Sequence, residues 1–352
     1  MGLPQININF ESLGLSAIKR SEKGVVALIL KADEINHERL HKEKSYLFKN
    51  LSEVNKDDFS EENYKSIEMV FRGTPNKVLI ELGTIQECLE RLEYKTFNYL
   101  TCPNIEEDEL VVVKSWIITQ RKNNKMRKAV LPNFDADEES IINFATEDIV
   151  VGGDTYTANE FCPRIAGILA GLPFTRSSTY YVLNEVNSIK MTENPDEDID
   201  NGKLILINDG RKIKIGRGVN SLTSTSDKKS DEFKKIKIVE AMDLIKEDIK
   251  NTFEDEYVGK VNNSYDNKML FVSGVNNYFK KLQKDGVLDP NNDAIIDIDY
   301  DAQVEYLESK GLDLESMSEA QVRAFNTGSN VYLKGTVKPL DAMEDLELIL
   351  NI

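Results

Sequence analysis

Residues 158–183 read ANEFCPRIAGILAGLPFTRSSTYYVL. Phe161, Ile165, Ile168, Leu169 and Leu172 recur at helical spacing, while Ala166, Gly167, Ala170 and Gly171 leave room for another backbone to approach. The spacing predicts a buried helix of small residues. Pro163 suits only its first turn, Gly171 followed by Pro173 predicts its stop, and the β-rich run 179–183 predicts a strand after it. The stretch holds no nucleophile with a base and no set of metal ligands.

Upstream the pattern alternates. Strands are expected at 78–82, 97–101 and 129–131, helices at 84–92 and 106–120, and a further strand at 148–151. Such βαβ repetition predicts a parallel sheet covered by helices. The continuous apolar run 24–30 reads as a central strand of that sheet. Residues 33–63 are highly charged, and Ser60 is placed to cap a helix carrying Ile67, Val70 and Phe71.

Downstream the character changes. Segments 203–207 and 211–215 flank Asn208-Asp209-Gly210, a hairpin signal, and the polar tract 221–231 reads as a flexible connector. Helices are expected from 233 to 249 and from 266 to 284, then a strand at 294–298, helices at 302–310 and 318–325, and a strand at 330–337. These make a second, α+β domain. Two strands stand apart at the ends. Ile6, Ile8 and Phe10 alternate with Gln5, Asn7 and Asn9, and after Pro339 the residues Leu346, Leu348, Leu350 and Ile352 share one face by period two. Each offers edge hydrogen bonds and an apolar face with no obvious partner in its own chain.

Composition narrows the function. The 352 residues suffice for two cores, and 40% hydrophobic content is that of a globular protein. A formal charge of -17, from 61 acids against 44 bases, argues against general nucleic-acid binding, which needs a basic excess to displace counterions. Cys88, Cys102 and Cys162 are odd in number and lack C-x-x-C spacing, as expected of buried thiols in a reducing compartment. No secretory leader is read at the N-terminus, and no apolar run nears the about 20 residues needed to span a bilayer, so cytoplasmic synthesis is expected.

The wording RIAGILAGLPFTRSSTYYVL, in its order relative to the flanking elements, resembles contractile tail sheath proteins of myophage tails and phage-tail-like bacteriocins. The likeness extends over most of the chain. It implies a parallel-sheet domain like subtilisin but without catalysis, followed by a C-terminal α+β domain, with extended strand arms at both termini. The corresponding expectation is an arm and linker at 1–23, the α/β sheath domain at 24–183, the assembly domain at 184–338 and the second arm at 339–352. It further implies homohexameric rings stacked around an inner tail tube protein, with baseplate and tail terminator proteins as partners. No cofactor, no direct nucleic acid and no membrane insertion is implied. Assembly would take place in the bacterial cytoplasm, and the product would be a virion tail or a released particle whose contraction drives the tube through a cell envelope.

Three motifs compete with that reading. His37-Glu38-Arg39-Leu40-His41 matches the H-E-x-x-H helix of zinc hydrolases, in which two histidines hold the metal and the glutamate activates water. It is crowded by charge and lacks a third histidine, so a solvated charged face is the favoured reading. Asp297, Asp299, Asp301 and Glu308 occupy positions 1, 3, 5 and 12 of a calcium loop, but Ala302 stands where the sharp turn needs glycine. A strand edge followed by a helix capped by Asp301 is expected instead. Lys228, Lys229, Lys234, Lys235 and Lys237 form a basic run on an acidic chain, either a solvated face or a contact for an acidic tube.

Overall fold

The computed structural model describes residues 24–30, 39–42, 44–227 and 229–351. They divide into two compact units, one holding the residues up to 243 together with 341–351, the other residues 244–340.

In the first unit β1 (Val25–Leu30), β2 (Tyr46–Phe48), α1 (Glu61–Arg72), β3 (Lys77–Leu82), α2 (Ile85–Leu92), β4 (Tyr99–Thr101), α3 (Glu107–Lys122), β5 (Lys128–Pro132) and β6 (Ile141–Phe144) follow one another. A small antiparallel sheet interrupts them, with β7 (Ile149–Val151) and β8 (Asp154–Tyr156) before α4 (Ala158–Gly171) and β9 (Val186–Ser188) after it. Then come α5 (Pro195–Asp200) and β10 (Lys203–Leu204), which returns to the edge of the main sheet. The order is β10-β6-β5-β4-β1-β3-β2, parallel throughout except for β2. Period two divides the core. Val26, Leu28 and Leu30 face α1 and α4, whereas Ala27 and Ile29 face the side covered by α2 and α3.

The helix α4 is buried along nearly its whole length. Thr157 and Glu160 close a reciprocal capping box at its start. Its glycines do what their spacing predicts. A Cβ on Gly167 would lie 2.2 Å from the Val70 carbonyl oxygen, and one on Gly171 would lie 1.9 Å from that of Gly73, so α1 ends directly against the α4 backbone. The helix begins earlier than expected, which leaves Pro163 inside it rather than in the first turn. The ring there sacrifices one backbone hydrogen bond.

Other expectations also shift. Strand β6 has all four residues buried and was not foreseen, while 148–151 joins the small sheet rather than the parallel one. Residues 179–183 form only an isolated bridge, Val182 to Lys214. The hairpin is β11 (Leu206–Asn208) with β12 (Ile213–Ile215), and β10 separates from it. Residues 184–243 pack with the sheet that β10 extends, and the compact units divide at 243/244.

Helix α6 (Ile236–Glu256) starts in the first unit and runs on into the second. There α7 (Tyr265–Lys284), β13 (Ile295–Ile298), α8 (Tyr300–Ser309), α9 (Glu319–Ala324) and β14 (Leu333–Thr336) complete the α+β unit around Phe271, Val275, Phe279, Leu282 and Leu307. The cap of α8 is Asp299, whose carboxylate accepts from the Ala302 amide, and not Asp301.

Candidate functional site

Among the described residues, two strands make the sheet of the second unit, β13 and β14, paired antiparallel with Ile296 opposite Gly335 and Ile298 opposite Leu333. Its two edges differ. On β13 the Asn276 side chain acts as a neighbouring strand would: its Oδ1 accepts from the Ile296 amide at 2.8 Å and its Nδ2 donates to the Ile296 carbonyl at 3.1 Å. The Ile298 amide donates to Asp297, and the Ile298 carbonyl accepts from Arg323. Ile296 and Ile298 thus point away from β14, and in an antiparallel ladder their opposite residues point away from β13. Leu333 and Gly335 therefore present their backbone groups on the far side of β14, where residues 334–337 are exposed. Among the described residues, one edge is closed by side chains and the other is open.

The C-terminal arm is the second part of the site. Residues 337–351 contain no strand, and Leu346, Leu348 and Leu350 are 89%, 69% and 76% exposed. The strand expected there is not formed within this chain. Ile352 and the N-terminal residues Ile6, Ile8 and Phe10 lie outside the described residues.

The described lysines of the basic run do not make one patch. Lys229 pairs with Glu139, Lys234 with Asp231 at 2.8 Å, and Lys235 with Asp341. Lys237 is 7% exposed, and burial pushes its pKa down. Lys228 lies outside the described residues. Of the described four, Lys234 has the most exposed acidic partner, Asp231, on the chain surface.

The tract 221–231, expected to be flexible, is pinned. Asp137 accepts from the amides of Ser224 and Thr223, which hold its carboxyl well below the usual range. Ser221 exchanges hydrogen bonds with the Glu138 backbone, donating to its carbonyl at 2.9 Å. Burial, and then the neighbouring Glu139, push the Glu138 carboxyl up to about 7, against the opposing pull of Lys229 and Arg121.

Sequence reasoning missed a buried charge network. Lys128 Nζ sits 2.8 Å from Asp243 and 2.9 Å from Glu240, while both Arg121 terminal nitrogens donate to Asp243 at 2.8 and 2.9 Å. The Tyr99 hydroxyl donates to Glu240 at 2.6 Å. The first turns of α6 are locked onto the sheet in this way. A lysine within an apolar strand, and two acids three residues apart on a buried helix face, were the available signals.

The described part of neither metal motif gathers ligands. His37 and Glu38 lie outside the described residues, and His41 is exposed, its amide donating to Tyr46 at 2.8 Å. Asp297 pairs with Arg323 and Asp301 with Lys334. Among the described residues no group of three acidic, histidine or cysteine side chains is placed to hold a metal ion. No described helix is long and apolar enough to cross a membrane.

The described residues thus show a parallel sheet packed on a small-residue helix, a two-stranded sheet with one open edge, and an exposed apolar arm. Comparison with known proteins gives the family. Residues 82–221 match the phage tail sheath protein central domain and 228–352 the phage tail sheath C-terminal domain. The tail sheath protein of Clostridium phage phiCD119 is 39% identical, over 99% of this chain and 98% of its own. The sheath tail protein from Desulfitobacterium hafniense shares the fold at a TM-score of 0.74 and 15% identity, with 97% and 98% of the two chains covered. The helical sheath of the anti-feeding prophage in its contracted state shares it at 0.68 and 11% identity, with 100% and 99% covered. The chain belongs to the phage tail sheath family: it is a structural subunit of a contractile tail sheath, a component of the virion tail, and not an enzyme.

Proposed function

We propose that copies of this chain assemble as hexameric rings stacked around an inner tail tube, joined by terminal strands that one copy donates to the second unit of another. The observation that carries this reading is the open edge of β14 together with the exposed period-two face of Leu346, Leu348 and Leu350. An unpaired edge and an unpaired apolar strand are each unfavourable alone and complementary together. Charge agrees: Lys334 and Lys338 flank the edge, and Glu347 lies along the arm. The N-terminal strand at Ile6, Ile8 and Phe10 is assigned the same role.

One arm binds weakly. Each leucine fully covered contributes about 1.5 to 3 kcal/mol, whereas ordering the backbone costs roughly 1 to 2 kcal/mol per residue. Ladder hydrogen bonds and the many simultaneous links of a lattice supply the difference. Head-to-tail links of this kind give an open polymer. Contraction then needs no nucleotide, because energy is stored in an extended lattice and released as subunits reorient as rigid bodies. Val337 continues the alternation of Leu333 and Gly335, so Val337→Pro removes an outward amide without touching the ladder. The expected outcome is a folded subunit that forms no tubes by negative-stain imaging; tubes of normal length would place the arm elsewhere.

Partners follow from this reading. Baseplate and terminator proteins would bind the two ends of the stack, and an acidic tube its lumen. Lys235 is engaged with Asp341, so the tube contact is assigned to the surface around Lys234. Lys234→Glu should lower co-assembly with the tube several-fold at low salt while sheath self-assembly persists; unchanged co-assembly across salt concentrations would reject the assignment. Assembly in the bacterial cytoplasm suits three buried free thiols. The parallel sheet, wound with helices on both faces, is taken as a non-catalytic relative of the subtilisin fold.

A further inference from the structure

The loop that follows α4 was singled out by its wording, yet strand exchange leaves it without a task. Its Ser177 and Thr179 meet a residue more than 160 positions away. The Thr179 hydroxyl donates to the Glu344 carboxylate at 2.6 Å, and the Ser177 hydroxyl lies 3.0 Å from the same oxygen. Both hydroxyls are oriented by backbone: Ser177 Oγ accepts from the Thr179 amide at 3.1 Å, and Thr179 Oγ1 from the Gly218 amide at 2.9 Å. A Cβ on Gly218 would lie 2.5 Å from Ser178 Oγ, so a larger residue there would displace that side chain. The other Glu344 oxygen is 3.8 Å from Arg217 Nε and 3.9 Å from Lys235 Nζ. On either side Lys235 pairs with Asp341, and Arg217 with Asp345 at 2.5 Å.

We propose that this loop is a receptor for the root of the C-terminal arm, a latch that fixes where the arm leaves the α/β unit. The pairs do not count equally. The Asp345 side chain is 79% exposed, and ion pairs of that kind contribute little. The Glu344 side chain is only 6% exposed: its Oε1 accepts from both hydroxyls, while its Oε2 has no hydrogen-bond donor and is compensated by charge alone, from Arg217 and Lys235. Beyond it the chain changes character at once, with Leu346 89% exposed. The arm thus has a seated root and a free strand. The proposal rests on the strand-exchange reading for its consequence: a pull on the donated strand reaches the end of α4, and through it the sheet.

A glutamate-specific endoprotease tests it, because the enzyme must take the glutamate side chain into its own pocket. In the intact subunit, cleavage after Glu344 should be at least about tenfold slower than after exposed Glu347, a difference that corresponds to about 1.4 kcal/mol of local opening. Ser177→Ala with Thr179→Val should bring the two rates together while circular dichroism stays unchanged; Arg217→Ala with Lys235→Ala is the second variant if that pair does not fold. Equal rates at Glu344 and Glu347 in the unaltered protein, or an undiminished difference in both variants, would overturn the latch. Leu348→Lys separates the two ideas. It should abolish tubes and leave the slow cleavage after Glu344 intact, so tubes that survive it count against strand exchange and not against the latch.

Discussion

Lys128 is fully surrounded in the middle of the main sheet, where an unpaired ammonium would be costly. Burial works against its charge, but Asp243 and Glu240 outweigh burial and raise its pKa. Asp243 is the mirror case, opposed by burial and lowered by Lys128 and Arg121. Removing one partner leaves the other charge stranded, so Asp243→Ala should lose about 3 to 5 kcal/mol in denaturant unfolding. Asp243 holds its proton less tightly folded than unfolded, so its contribution is complete above the ordinary carboxylate range and fades as pH falls through its folded pKa. The gap between Asp243→Asn and the unaltered protein should therefore narrow as pH drops below about 4. A gap constant from pH 3 to 7 would contradict the network. The pairing was not legible in sequence, because Lys128 and Asp243 are 115 positions apart; a lysine in an apolar strand and two acids on one helix face signal only that each needs a partner.

At the scale of elements, α4 was legible because three signals agreed: apolar period, small residues and a Gly-x-Pro stop. Helix α2 was legible through its capping box, Thr84 with Glu87. Strand β6 was not, since four residues with Asn143 among them show no period; Asn143 is buried because it bonds the Phe134 amide and Asp135. The run 179–183 has strand propensity, but its hydroxyls and amides are spent on the Gly218 turn and the β12 bridge, so tertiary contacts override propensity. The tract 221–231 looked flexible for want of apolar residues and is held by polar ones. Glu138, beside it, binds its proton more tightly folded than unfolded, so its penalty is absent at low pH and grows as pH rises toward 7. Glu138→Gln should raise stability at pH 8 by at most about 1 kcal/mol, allowing for solvent screening, and leave it unchanged at pH 4. Thermal unfolding at the two pH values checks this; a loss at pH 8 would show that the charge of Glu138 is needed to hold Lys229.

At the scale of the molecule, the sequence suggests two folded regions and a strand without a partner at each end, but not which edge of the two-stranded sheet is open. That asymmetry depends on Asn276, a helix residue whose amide closes β13, and no pattern along β13 announces it. The return of β10 to the main sheet was not legible for a related reason: it is two residues long, and the other strands of that sheet lie at least about sixty residues earlier. The central claim is that subunits are joined through residues 346–352. Deleting those residues leaves the arm root and both cores intact, so sedimentation and negative-stain imaging of truncated against intact protein, with circular dichroism as control, test it most directly. The account predicts folded subunits that remain small and form no tubes; long regular tubes from the truncated protein would contradict it.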